Sequence, residues 1–73
     1  MKTTFTTPTG RKVTSATQRA YVLIWETQTG ERAWIERRSD SLATLRTLRA
    51  RQGRTSAVTW YIGTMSTGEV KPA

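Results

Sequence analysis

Hydrophobic positions fall into blocks along the chain, and their spacing changes from block to block. Ala20-Tyr21-Val22-Leu23-Ile24-Trp25 is an unbroken apolar run of six residues, rich in β-branched and aromatic side chains and followed by Thr27-Gln28-Thr29-Gly30-Glu31. This pattern predicts a strand over 19–27, a tight turn and a second strand over 31–38. Pairing Thr27 with Glu31 sets Glu26 opposite Arg32, Trp25 opposite Ala33, Ile24 opposite Trp34 and Leu23 opposite Ile35. Acid then meets base, and apolar meets apolar.

The period changes after Ser39-Asp40-Ser41, a cluster of residues suited to capping a helix N-terminus. Leu42, Leu45 and Leu48 recur at a spacing of three, and Gly53 supplies a stop, so a helix is predicted over 42–52 with its leucine stripe on a sheet. Ala57 to Met65 returns to alternation, with Val58, Trp60 and Ile62 on one face and Thr59, Tyr61 and Gly63 on the other. A crossover through the helix would lay this strand parallel to a neighbour.

Three phrases resemble one another: Thr7-Pro8-Thr9-Gly10-Arg11, Thr27-Gln28-Thr29-Gly30-Glu31 and Met65-Ser66-Thr67-Gly68-Glu69. Each places a glycine where a left-handed backbone closes a hairpin loop, so they read as turns rather than as a repeat. The expected fold class is α+β: a small antiparallel or mixed β-sheet with a ββαβ core packed on one α-helix. Thr3 to Thr7 and Lys12 to Ser15 add an optional N-terminal hairpin. The chain reads as one domain over 1–73, with 1–10 and 69–73 as mobile ends.

Composition narrows the chemistry. The 73 residues hold twelve Lys plus Arg, five Asp plus Glu, no His and no Cys, for a formal charge of +7. Neither disulfides nor thiolate or imidazole metal sites are available, and the usual general base near neutral pH is missing. Each acid has a structural use: Glu31 and Glu69 in turns, Asp40 in the cap cluster, and Glu26 and Glu36 on a strand face with arginines, where ion pairing is expected. Ser and Thr lack an activating base, and Gly63 and Gly68 form no phosphate loop. The expectation is a non-enzymatic protein without cofactor or metal. The longest apolar run falls far short of a membrane span, and the Thr-rich start shows no secretory pattern, so a cytoplasmic protein is expected.

The positive charge is uneven. Six arginines lie from Arg37 to Arg54 against the single Asp40. With the register above, Tyr21, Leu23, Trp25, Ala33, Ile35, Val58, Trp60 and Ile62 face the helix. Val22, Ile24, Trp34 and Tyr61 face away, ringed by Arg32 and Arg38. Trp34 and Tyr61 then form a platform for bases, with Arg32, Arg37 and Arg38 at its margin and Arg46, Arg49, Arg51 and Arg54 on the helix and its exit as phosphate contacts. Nucleic acid, DNA or RNA, is the expected partner. Against this stands a plainer reading, in which the N-terminal segment or a second copy of the chain covers that face and the arginines are a solvated surface. The alternative function is a protein-interaction module, a small regulator or inhibitor docking a partner or self-associating as a homodimer with Trp34 as anchor.

Overall fold

The computed structural model describes residues 2–29, 31–51 and 58–73. Its elements are β1 (Thr3–Thr6), β2 (Lys12–Ser15), β3 (Tyr21–Thr27), β4 (Ala33–Ser39), α1 (Leu42–Arg51), β5 (Val58–Thr64) and β6 (Val70–Pro72). β1 and β2 form a two-stranded hairpin, and the other strands form a four-stranded sheet in the order β4-β3-β5-β6. With one helix packed on this sheet, the architecture is α+β, as the hydrophobic pattern predicts. Both terminal segments contribute strands. Among the described residues no helix is long and apolar enough to cross a membrane.

β3 is the centre of the molecule. It pairs antiparallel with β4 on one side and β5 on the other, and Val22, Leu23 and Ile24 are fully buried. Burial on both faces is the reason its apolar run does not alternate. The predicted parallel neighbour is absent: β5 lies antiparallel to β3, and β3 separates β5 from β4. The helix therefore carries the chain across β3 rather than to an adjacent parallel strand.

Each face of the sheet has its own core. On one face the β1–β2 hairpin covers Val22, Ile24 and Tyr61 with Phe5 and Val13, joined by Met65 and flanked by Ala33, Ile35 and Val70. On the other, Leu45 of α1 packs on Leu23, Trp60 and Ile62, with Tyr21, Trp25, Leu42, Leu48 and Val58 around them. Ser41 caps the helix: its hydroxyl accepts from the Thr44 amide at 3.2 Å. Asp40 has a different task, accepting from Arg19 Nη1 at 2.8 Å and from the Ala20 amide at 2.9 Å, which ties the start of the helix to the start of β3. The Arg19 guanidinium, then that amide, hold the Asp40 carboxyl below the usual carboxylate range.

The β3–β4 register corrects the expected one. Trp25 pairs with Trp34, Ile24 with Ile35 and Glu26 with Ala33, while the Thr27 amide donates to the Arg32 carbonyl at 2.9 Å. The turn is one residue longer than expected, and its Gly30 lies outside the described residues. A one-residue change of register exchanges the faces of a strand. Ala33 and Ile35 thus lie on the hairpin side and Trp34 lies on the helix side, the reverse of the expectation.

Glu26 has partners other than the expected Arg32. Its side chain is 1% exposed, and its Oε2 accepts from the Thr7 hydroxyl at 2.6 Å and the Thr9 hydroxyl at 2.7 Å. A carboxylate held beneath the β1–β2 turn is not free to match Arg32 across the strand. That turn itself follows the expected geometry. The Thr7 amide donates to the Arg11 carbonyl at 2.8 Å, and Gly10 adopts a φ of 93°, closing a three-residue loop.

A candidate nucleic-acid interface at the β4 edge

β4 is an edge strand: among the described residues no strand pairs with its outer side. Its pairing with β3 slips between Leu23 and Ile24: Ile24 meets Ile35, but Leu23 meets Arg37. Glu36 is the extra residue of a β-bulge. Strict alternation from Trp34 would place Glu36 and Arg38 on the helix side. The bulge brings Arg37 there instead and turns Arg38 toward the hairpin, where its Nε donates to the Ser15 hydroxyl at 3.2 Å.

On the helix side, Arg32, Trp34 and Arg37 follow one another along the strand. Trp34 is half-buried against Trp25, with ring centroids 3.5 Å apart and planes inclined by 31°. Trp25 meets Trp60 edge-on at 6.4 Å, so Trp34 is the outermost of three contacting indoles. The Arg32 guanidinium carbon lies 5.4 Å from the Trp34 ring centroid, within cation–π range. The Trp34 indole N–H donates to Glu36 Oε2 at 3.2 Å, which fixes the ring from its polar edge.

Two grooves flank the strand. Between β4 and α1 lies one of about 320 Å³, lined by Arg37, Ala43, Thr44, Thr47, Leu48 and Arg51. Helical periodicity puts Thr44, Leu48 and Arg51 on the flank of α1 that faces β4. Between β4 and the hairpin lies a second groove of about 420 Å³, whose charged lining residues are Lys12 and Arg38 and whose rim includes Trp34. Lys12 joins the site only because β2 packs beside β4. Nothing in its local sequence announces that role, beyond its alternation with the buried Val13.

The expected site residues therefore divide. Arg32, Trp34, Arg37 and Arg51 share the helix side, and Arg38 joins them from the other flank. Tyr61 leaves the set. It lies on the opposite face from Trp34, 7% exposed beneath the hairpin, so the two rings form no joint platform. Burial first, and then the nearby Glu26 carboxylate, push the Tyr61 phenol above its ordinary pKa. Arg46 points to the other flank of the helix, into a groove shared with Tyr21 and Lys71. Arg49 is half-buried on α1, and Arg54 lies outside the described residues.

Charge is unbalanced at this edge because most acids are occupied elsewhere. Asp40 pairs with Arg19 and Glu69 with Lys71, and Glu26 is enclosed by the hairpin turn. The expected pairing of Glu36 with an arginine is replaced by its bond from Trp34. Arg32, Arg37, Arg38 and Arg51 have no carboxylate within salt-bridge distance among the described residues. The aromatic indole that the expectation lacked is Trp25, which the apolar run marks as core and the structure leaves half-buried. Comparison with protein-family models, with curated proteins and with solved structures found no match to this chain.

Proposed function

We propose that the protein is a non-enzymatic nucleic-acid-binding module that holds its ligand along the β4 edge. One observation carries this reading: Arg32, just before β4, and Trp34, Arg37 and Arg38 within it cluster at the sheet edge, with Lys12 and Arg51 in the grooves on either side. Guanidinium groups without a carboxylate partner suit phosphate, and an indole braced from behind suits a base. A formal charge of +7 adds long-range attraction to any polyanion. The sequence has no His and no Cys, so a catalytic reading could not draw on imidazole or thiol chemistry.

The test is fluorescence anisotropy with labelled single-stranded DNA, duplex DNA and RNA across a salt series. Binding that weakens linearly in log K against log salt is expected, since cationic side chains displace counterions from phosphate. Failure to bind all three at low salt overturns the reading. A second reading draws on the same half-buried Trp34 at an unpaired strand edge: a protein partner or a second copy docking there. Sedimentation of the free protein separates the two, since a dimer that Trp34→Ala dissociates supports self-association.

A further inference from the structure

We infer that the ligand is a single strand, with one base seated against Trp34 and the adjoining phosphate in the groove between Arg37 and Arg51. The inference rests on the nucleic-acid reading above and narrows its substrate class.

The β-bulge supplies the spacing. Trp34 and Arg37 lie opposite Trp25 and Leu23, two residues apart on β3, so they stand about 7 Å apart along the sheet. The bulge lets β4 cover that distance with three residues, which brings a guanidinium rather than a carboxylate in line with the indole. Base and phosphate of one nucleotide are separated on this scale.

The groove supplies the chemistry. Arg37 comes from the strand and Arg51 from the helix, and Thr44, Thr47, Ala43 and Leu48 complete the lining. No acidic side chain lines it. Two guanidiniums and two hydroxyls offer donors from two elements to one tetrahedral anion. A volume of about 320 Å³ falls at the lower end of small-ligand pockets and has room for a phosphate group.

Trp34 supplies the choice of strand. Its ring is held by Trp25 stacked on it and Glu36 at its edge, so it presents a fixed surface that a base would share with the Arg32 guanidinium over the ring. A base reaches such a surface only when it is free of its own stack and partner.

The experiment compares three probes of equal length on the full chain: labelled dT12, the dT12·dA12 duplex, and a 12-mer of abasic deoxyribose phosphates. Wild-type protein is expected to bind dT12 about tenfold or more tightly than the abasic strand, with quenching of tryptophan fluorescence, and more tightly than the duplex. Trp34→Ala should erase the preference for dT12 over the abasic strand, whereas Trp34→Phe should keep most of it. Arg37→Ala with Arg51→Ala should weaken both single strands and lower the salt slope by about one to one and a half. Equal binding of dT12, duplex and abasic strand by wild type overturns the inference and leaves the nucleic-acid reading standing. Loss of all binding by wild type removes both. The wild-type comparison decides the question even where Trp34→Ala fails to fold.

Discussion

The two faces of the central sheet are built from the same strands and used differently. On the hairpin side Phe5 is completely buried and lies directly on Gly63, where an added Cβ would come within 2.6 Å of its ring. The missing side chain is thus the seat of the aromatic ring, and Glu26 beneath the turn locks the same hairpin by its two threonine bonds. On the helix side, α1 spans ten residues, about 15 Å of axis, and Leu45 is its one fully buried side chain. It shields Leu23, Trp60 and Ile62 but leaves Trp25 and Trp34 half-exposed beside β4. One face is closed by shape and serves stability. The other leaves an aromatic ring and several cations at its margin, the face we propose for a ligand.

Truncating one aromatic residue on each face gives the widest separation. Phe5→Ala empties a sealed site and should cost about 3–5 kcal/mol, a large part of the stability of so small a domain. Trp34→Ala removes a side chain that still touches water and should cost about 1 kcal/mol. Urea denaturation of both variants checks the difference. Equal losses would mean that Trp34 is core and that the helix side is as closed as the hairpin side.

Filling the seat of Phe5 is the reverse operation. Gly63→Ala places a Cβ against ring carbons and against Val22 at 3.0 Å, so the hairpin must lift or the strand must shift. Overpacking of this kind costs about 1–3 kcal/mol. Backbone amide exchange in β1 and β2 should rise well before exchange in β3. Uniform exchange across the sheet would show instead that the hairpin is not a separately yielding layer.

Much of this asymmetry was legible in the sequence, and its limits are instructive. The unbroken run through Val22, Leu23 and Ile24 announced a strand but left its second face open between a binding platform and a cover by the N-terminal segment or a second copy, and the Leu42, Leu45 and Leu48 spacing announced the helix and its stripe. The Thr7 to Arg11 turn was legible because a local glycine decides it. The face of Trp34 was not. It depends on the β3–β4 register, and Glu26 seemed to match Arg32 across the strand, whereas its partners Thr7 and Thr9 lie in another hairpin. The bulge at Glu36 was hidden for a second reason. The stretch Glu36-Arg37-Arg38 has no apolar alternation to hold it in phase, so any register there looks equally good. The candidate arginines Arg37 and Arg38 lie in the part of the strand whose pattern is least informative.

Alkaline titration separates the two faces by another route. The Tyr61 phenol is raised by burial and by Glu26, so the folded chain holds its proton more tightly than the unfolded chain does. Its contribution to stability is complete below the ordinary value of about 10 and is lost as pH rises through the folded value. Tyr61→Phe should therefore flatten the fall in stability above about pH 10. Unfolding midpoints measured from pH 8 to 11 check this. A fall of unchanged steepness in the variant would assign the alkaline loss to other groups.

The finest distinction concerns Glu36, the acid left beside the open face. Its carboxylate accepts from the Trp34 indole N–H at 3.2 Å and so positions the ring, but its charge opposes any phosphate nearby. Glu36→Gln keeps an acceptor oxygen for the indole and removes the charge, so positioning and repulsion come apart. If repulsion dominates, affinity for dT12 should rise by about two- to fivefold, the usual scale of one exposed charge pair. Glu36→Ala removes the bond as well and should give back part of that gain. If Glu36→Gln instead weakens binding, the carboxylate is accepting a hydrogen bond from the ligand itself, and the edge of the stacked base is being read.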